Sequence, residues 1–345
     1  MTFLLGFLLV TIAGLGTGSI AWPIKVMRRF QFEQWWFIGM VVGLLIMPWG
    51  ITLSSVPSVF AAYGAVDPRL LIKSNIFAFG WGIANVLYAI SVVRIGAALT
   101  GAILSGLGVA IGVTVPMIFK GTGLFSQAPD LESPAGRTVL IGAGMVLIGV
   151  LTVSIAGFGR ERVFRNTRES SGGFMSGLIM SIAGGVLSCG LSFAFVYSQG
   201  PIVKAMKEQG AGNIPANIAV WAVGLLGGVL VNIFYPAYLM TRKKSWNVLM
   251  ESRRDVILAV IIGLQFITAV TLMGRGMLLL GALGASVGFG IQQAMQILGN
   301  QGVGFISGEW RGVLGAPRKQ MYIAITILIV AVMLMAYGNM LIQNT

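Results

Sequence analysis

Side chains that can form hydrogen bonds recur inside long apolar stretches of this sequence, and many of them are amides. Asn85, Asn232 and Gln265 each stand in a separate apolar stretch, while Gln292 and Gln296 share another. Gln292 and Gln296 are four residues apart, so on a helix they occupy one face. An amide donates and accepts hydrogen bonds without adding charge, which matches the hydroxyl groups of a neutral polar solute. These residues therefore indicate solute binding rather than catalysis.

Two further side chains complete the candidate site. Trp81 lies one helical turn before Asn85 and could stack its ring on the apolar face of a bound solute. All ten Asp and Glu residues fall in loops or at the ends of apolar stretches, and Glu309 comes nearest to a span interior. Glu309 is the candidate ion-coupling residue, with an interfacial ion pair to Arg311 as the other interpretation. The amides also have another interpretation, in which each only joins neighbouring helices.

Several functional classes are excluded by what the sequence lacks. It contains no His and one Cys, Cys189, so we expect no metal site and no intrachain disulfide. No paired-carboxylate, Ser/His/Asp or phosphate-loop pattern is present, so we expect neither an enzyme nor a cofactor. The net charge of +13 is distributed over short loops between apolar stretches, which is not the pattern of a nucleic-acid-binding protein.

The elements that carry these side chains are predicted to be transmembrane helices. Hydrophobic residues make up 56% of the 345 residues and charged residues only 10%, too few to cover a soluble protein. The apolar runs are about 20 residues long, which is what a helix needs to cross a bilayer. We therefore predict an all-α polytopic membrane protein with ten spans, at about 3–22, 35–56, 74–93, 97–118, 138–157, 174–198, 216–240, 255–273, 277–303 and 321–341.

The distribution of charged and aromatic residues predicts an orientation. Most of the 23 Lys and Arg residues lie in one set of alternate loops, which includes Arg160–Arg168 and Arg242–Arg254. The positive-inside rule places this set in the cytoplasm, so both termini are predicted on the outer side of the cell (inner) membrane. Four tryptophans fall near predicted span ends and are typical of an interfacial belt: Trp22, Trp35, Trp36 and Trp49.

The sequence also contains an internal repeat. The segment Leu9–Gly14 is matched by Ile179–Gly184, about half the chain further on. Five spans per half force the second half to enter the membrane with the opposite orientation, which predicts two inverted five-helix repeats. The expected organisation is a first repeat over 1–159, a cytoplasmic linker over 160–172 and a second repeat over 173–345.

Short motifs along the chain resemble one known family. The segment Lys25–Phe30, followed by Trp35-Trp36 and Met47-Pro48-Trp49, resembles the opening hairpin of the L-rhamnose–proton symporter family. Further matching segments are Phe79–Asn85, Arg94-Ile95-Gly96, Leu191–Ala194, Gly263–Phe266 and Gly308-Glu309-Trp310. The family belongs to the drug/metabolite transporter superfamily. The resemblance implies two inverted five-helix halves and uptake of a deoxysugar or related sugar, driven by a cation gradient.

The leading hypothesis is a secondary active transporter that imports a small neutral polar solute, such as the (deoxy)sugar rhamnose, by alternating access. The predicted partners are this solute, a coupling proton or sodium ion, and the lipid bilayer, and the oligomeric state is left open. Two alternatives remain. One is an exporter of amphipathic metabolites or drugs from the same superfamily, and the other is a non-transporting membrane sensor or scaffold.

Overall fold

A computed structural model describes residues 2–95, 97–120, 123–128, 130–164 and 174–343. The described residues form sixteen α-helices, a π-helical stretch at Val41–Ile46 and a 3₁₀ turn at Gly123–Gln127. The helices are α1 Thr2–Gly18, α2 Ala21–Val26, α3 Phe32–Met40, α4 Met47–Ser55, α5 Val59–Gly64, α6 Pro68–Ile95, α7 Ala97–Ile118, α8 Pro134–Phe164, α9 Phe174–Ser188, α10 Gly190–Glu208, α11 Asn213–Gly224, α12 Leu226–Lys243, α13 Val248–Glu251, α14 Arg253–Leu279, α15 Gly284–Ile306 and α16 Ala316–Gln343.

The all-helical class is confirmed over these residues. Seven helical segments are long and apolar enough to cross a membrane, and the count becomes eight if α11 and α12 form one span. These two helices meet at an angle of 59°. Seven or eight is fewer than the predicted ten. α8, α14 and α16 each contain an apolar stretch that is long enough to cross a bilayer. The protein is therefore a multi-pass membrane protein.

One predicted helix boundary requires correction. Arg275 was expected to separate the eighth and ninth spans, but it lies inside α14, and the turn falls at 280–283 instead. Gly281 has a φ of +85°, a conformation that glycine adopts without the penalty of a side chain, so this residue permits the turn. The predicted linker at 160–172 begins within α8, which continues to Phe164, and residues 165–172 lie outside the described part of the chain.

The first helix of each predicted half is interrupted at a matching position. α1 ends at Gly18 and α2 begins at Ala21, while α9 ends at Ser188 and α10 begins at Gly190. In the repeat, Gly14 matches Gly184, so both interruptions follow the repeated segment by the same distance. The hydroxyl of Thr17 donates to the carbonyl oxygens of Ala13 and Gly14 at 3.1 and 3.0 Å. These side-chain bonds compete with the backbone hydrogen bonds of the helix and so weaken it.

The π-helical stretch in the second span has a clear cause in the sequence. Pro48 follows it, and a proline has no N–H group and clashes with the carbonyl four residues earlier. The backbone therefore widens over Val41–Ile46 before the helix continues as α4.

Helices from the two predicted halves interleave. α1 packs against α14 and α15, and α9 packs against α6 and α7. α8 lies along α16, and α3 contacts α12. Each contact therefore joins a helix from before residue 160 to one from after residue 172. Glycine allows α1 and α15 to approach closely, since a Cβ at Gly14 would lie 2.5 Å from the carbonyl oxygen of Gln292.

A buried carboxylate fastens the loop after α2 to the start of α14. Asp255 has no solvent exposure, and its Oδ2 accepts hydrogen bonds from the backbone N–H groups of Arg28, Arg29 and Phe30 at 3.1, 2.7 and 3.1 Å. The hydroxyl of Ser252 caps the same turn by accepting from the backbone N–H of Asp255 at 3.2 Å. The carboxylate is compensated by backbone dipoles rather than by a neighbouring cation.

Candidate functional site

The amide of Gln265 binds the interruption between α1 and α2. Its Nε2 donates to the carbonyl oxygen of Gly16 at 2.7 Å and to the hydroxyl oxygen of Ser19 at 2.8 Å. A helix end leaves carbonyl groups without their usual partners, and in a membrane such groups must be satisfied within the protein. Gln265 therefore supplies from α14 a second donor to the Gly16 carbonyl, beside the local hydroxyl of Ser19 at 3.1 Å.

Gln292 and Gln296 bind the same end of α1 from its other neighbour, α15. Gln292 Nε2 donates to Thr17 Oγ1 at 2.9 Å and to Gln296 Oε1 at 3.0 Å. Thr17 Oγ1 lies 3.4 Å from Gln296 Oε1, so the three side chains form one polar cluster. Gln292 is 5% exposed, and its placement between helices makes a charged replacement costly. The two amides share a face, as their spacing predicted.

A second polar cluster joins α3, α6 and α12. Asn232 is 1% exposed, and its Oδ1 accepts from Asn85 Nδ2 at 3.0 Å and from Trp36 Nε1 at 3.1 Å. Its Nδ2 donates to the carbonyl oxygen of Gly228 at 2.8 Å. Trp36 was predicted in the interfacial belt, but its indole N–H points to this buried amide. No signal in the sequence separates Trp36 from its neighbour Trp35 in this respect.

Trp81 links the two clusters. Its ring stacks on Phe266, the residue after Gln265, with centroids 5.9 Å apart and an interplanar angle of 15°. Trp81 is 7% exposed, and Gly228 on α12 makes room for its ring edge. In this conformation the ring is packed by protein rather than open to a solute, so stacking on a sugar requires that Phe266 move away.

Glu309 lies between α15 and α16 and binds two cations. One carboxylate oxygen pairs with Lys25 Nζ, and the other accepts from Arg160 Nη1 at 2.5 Å. The guanidinium of Arg160 also lies 5.4 Å from the ring centroid of Trp310. Glu309 thus pairs with Lys25 of the first half and with Arg160 at the start of the predicted linker, rather than with Arg311, the neighbour that the sequence suggested. The carboxylate is 37% exposed, so it lies at a helix end and not within a span.

The predicted site residues are brought together in part. Gln265, Gln292 and Gln296 converge on residues 16–19 of α1, whereas Asn85 and Asn232 form the separate cluster on α6 and α12. Thr17 and Ser19 belong to the first cluster and were not predicted, although Ser and Thr beside glycine within an apolar run signal an interruption. Each cluster keeps unused hydrogen-bonding capacity, because Asn85 Oδ1 and Gln296 Nε2 have no partner among the described residues.

A groove also runs between α1 and α14. Its volume is ≈ 290 Å³, and its lining is apolar except for Gln265 and Thr268. Ile12 and Leu264 on its rim are 52% and 38% exposed, as expected for side chains that face lipid. Within the described ranges, no group of three or more Cys, Asp or Glu residues is placed to hold a metal ion.

The chain is similar to known proteins over most of its length. A family model described as L-rhamnose-proton symport protein matches residues 2–340. An L-rhamnose-proton symporter of Yersinia pestis bv. Antiqua is 28% identical over 228 residues, which are 66% of this chain and 64% of the relative. A symporter of the same description from Yersinia pseudotuberculosis serotype O:1b gives the same identity and coverage. The matched region thus spans less than two thirds of these relatives.

A solved structure is similar in fold. A protein crystal structure superimposes with a TM-score of 0.53 at 14% sequence identity, covering 96% of this chain and 94% of the other. The structural similarity supports a common arrangement of helices, and at 14% identity it supports no more than that.

Proposed function

Because the chain belongs to the L-rhamnose–proton symport protein family, we propose that it is a secondary active transporter that imports a small neutral sugar, with L-rhamnose as the first candidate. The observation that carries this proposal is the match of the family model from residue 2 to residue 340. The symporter relatives carry the same description at 28% identity. A protein of this kind moves its solute by alternating access and is a transporter, not an enzyme.

The architecture proposed with this function is ten spans in two inverted five-helix repeats. The ten are α1 with α2, α3 with α4, α6, α7, α8, α9 with α10, α11 with α12, α14, α15 and α16. The first helix of each half packs against the third and fourth spans of the other half, which supports a two-fold relationship. The matching interruptions at Ser19 and Cys189 support it independently. Broken helices near the bilayer midplane are common where transporters bind solute.

The solute site is proposed between the halves, lined by the six residues Asn85, Gln265, Gln292, Gln296, Trp81 and Asn232. Amide groups in two clusters flank the Trp81–Phe266 stack, which joins α6 to α14. The unused acceptor of Asn85 and the unused donor of Gln296 can bind the hydroxyl groups of a sugar. All of these groups are uncharged, which favours a neutral solute.

Coupling to protons follows from the family, and Glu309 is the proposed ion-coupling residue, with sodium as the other coupling ion. A proton on Glu309 would remove its attraction for Lys25 and Arg160. Loss of both ion pairs would release the loop before α16 from α2, which carries Lys25, and from α8, which carries Arg160. Protonation would in this way favour rearrangement of the halves, which a symporter requires.

The alternative functions are disfavoured by particular features. An exporter of cationic compounds needs an acidic or aromatic cage within the spans. The acidic residues here lie at helix ends or loops, and the aromatic rings of Trp81 and Phe266 pack on each other. A scaffold or sensor would not require unused amide groups beside two interrupted helices.

Uptake into proteoliposomes tests the proposal. We expect radiolabelled L-rhamnose to accumulate when the outside is made acidic, and a protonophore to abolish the accumulation. Accumulation driven by a sodium gradient, with equal pH on both sides, would instead identify sodium as the coupling ion. Binding of L-rhamnose should also raise the melting temperature by mass action. If L-rhamnose neither accumulates nor shifts the melting temperature, while another monosaccharide does, rhamnose is the wrong solute. If no monosaccharide acts, sugar import is wrong.

A further inference from the structure

One face of α15 lies against α7 and α10 and carries polar groups that neither amide cluster uses. Ser286, Phe289 and Gln293 are spaced three and four residues apart, so they share that face. The ring of Phe289 covers Gly112 on α7. A Cβ at Gly108 would lie 3.5 Å from Gln293 Nε2. Because residue 108 is glycine, α7 presents no side chain at the point where Gln293 approaches it.

The interruption between α9 and α10 faces the same space. A Cβ at Gly108 would also lie 2.6 Å from the hydroxyl oxygen of Ser188, and Ser188 is the last residue of α9. Ser192 follows one turn later on α10. α7, α10 and α15 contact one another pairwise, so this is a meeting point of three helices. Ser188, at the end of α9, and Gln293, on α15, therefore both approach the bare surface of α7 at Gly108.

Hydrogen bonds are missing at this meeting point. Ser192 and Ser286 are 0% and 1% exposed, and neither hydroxyl has a hydrogen-bond partner among the described residues. The side-chain amide of Gln293 forms no hydrogen bond with any described residue. Ser188 donates to the carbonyl oxygen of Gly185 at 2.7 Å, and its oxygen remains able to accept. Buried polar groups are normally satisfied, so a solute or water from outside the chain can complete the hydrogen bonds of Ser192 and Ser286, and of the half-buried Gln293.

The other interruption is completed in part from a neighbouring helix. There the carbonyl of Gly16 accepts from the local hydroxyl of Ser19 at 3.1 Å and also from Gln265 on α14. At the second interruption the local side chains Ser188 and Cys189 satisfy the carbonyls of Gly185 and Val186 themselves. Gln293 is thus not needed to complete the broken helix, and its donor and acceptor remain available.

We propose that Gln293, Ser192 and Ser286 form a binding subsite for a hydroxylated solute between α7, α10 and α15. This inference rests on the proposed sugar transport and adds residues outside the six named above. The amide and hydroxyl groups each donate and accept, which is the pairing that a row of sugar hydroxyls needs. Gly108 keeps the α7 surface free of a side chain that would fill the space. Ordered water alone is the competing occupant.

Substitutions at the subsite test the proposal in the detergent-solubilised full chain. Gln293→Ala and Ser192→Ala should each weaken L-rhamnose binding by about tenfold or more in titration calorimetry, with the melting temperature of the solute-free protein unchanged. Ser181→Ala is the matched control, because Ser181 is also 0% exposed and unpartnered but lies on α9 among glycines that face α6 and α7. Wild-type affinity in both subsite variants would overturn the proposal and leave water as the occupant.

Thiol labelling separates failure of the subsite from failure of the transport proposal. Gln293→Cys is made in a Cys189→Ser background, where serine keeps the hydrogen bond to Val186. A small water-soluble thiol reagent should label Cys at position 293, and L-rhamnose should protect it. Absence of labelling overturns the subsite whatever the protein transports. Labelling that L-rhamnose leaves unprotected, in a protein that binds L-rhamnose, also overturns it. Labelling in a protein that binds no sugar supports a solute compartment and contradicts sugar transport.

Discussion

The side chain of Gln265 donates a hydrogen bond of 2.7 Å to the carbonyl oxygen of Gly16, where α1 is interrupted. A residue from late in the chain thereby completes the backbone bonding of the first helix. The same nitrogen reaches the hydroxyl of Ser19, so one amide holds both sides of the interruption. This contact is structural whether or not the free Oε1 of Gln265 also binds solute.

The first prediction concerns stability at this contact. Gln265→Ala removes the shorter of the two hydrogen bonds to the Gly16 carbonyl and the bond to Ser19, so we expect the free energy of unfolding to fall by about 1–3 kcal/mol. The melting temperature of the purified protein measures this effect. Solute affinity, measured in parallel, shows whether Gln265 also contacts the solute. An unchanged melting temperature would mean that water or another group replaces the amide.

A second prediction separates solute binding from helix joining in the other cluster. Asn85→Ala leaves Asn232 Oδ1 its bond from Trp36, so we expect little change in melting temperature. If Asn85 binds the solute, affinity should fall roughly ten- to a hundredfold. Asn232→Ala is the contrasting variant, because it strands two donors and should lower the melting temperature. Normal affinity in Asn85→Ala would remove Asn85 from the solute site.

The third prediction tests the contact between α1 and α15. Gly14→Ala places a methyl group 2.5 Å from the carbonyl oxygen of Gln292 and 2.6 Å from Met295 Cβ, so the two helices must separate. Such overpacking costs about 1–3 kcal/mol, and we expect a lower melting temperature. Gly144→Ala in α8 is the control, since no atom lies within 4 Å of its added Cβ. Equal melting temperatures for the two variants would contradict the close packing.

The fourth prediction concerns coupling. Glu309→Gln removes the charge that pairs with Lys25 and Arg160. Because the glutamine side chain neither takes up nor releases a proton, the variant should lose proton-driven accumulation. Exchange of labelled for unlabelled solute needs no net proton movement and should persist. Glu251→Gln, at an exposed position in α13, is the control. Full accumulation by Glu309→Gln would assign coupling to sodium or to another group.

The fifth prediction is the orientation. We expect both termini outside, so a reporter that is active only in the cytoplasm should be silent when it is fused after Thr345. A second fusion within the loop between α12 and α14, next to Lys244, should be active. The reverse pattern would invert the topology and leave the helix packing unaffected.

Sequence reasoning succeeded where the signal was local. The four-residue spacing of Gln292 and Gln296 predicted their common face, and the apolar runs predicted helices. It failed where the partner lies far along the chain. Arg311 was the obvious partner of Glu309 in sequence, but Lys25 and Arg160 approach it only through packing of α2 and α8 near the loop before α16. Spacing alone carries no information about such contacts.

The boundary at Arg275 was misplaced for a related reason. A charged residue between two glycines is typical of a loop, but α14 extends past it because Gly274 and Gly276 are helix contacts. A Cβ at Gly274 would lie 2.7 Å from the ring of Phe195, and one at Gly276 would lie 2.5 Å from Val10. Whether a glycine marks a turn or a close approach depends on neighbours that the sequence does not name.

The buried carboxylate of Asp255 has a consequence for how the chain is made. The turn at Arg28–Phe30 closes around this residue, and α1 packs against α14 and α15 rather than against the helices that follow it in sequence. α1 is synthesised more than two hundred residues before α14 and α15, so it waits in the membrane until these partners arrive. During synthesis the face of α1 that later binds the amides of α14 and α15 must be shielded by lipid headgroups, the insertion machinery or a provisional neighbour.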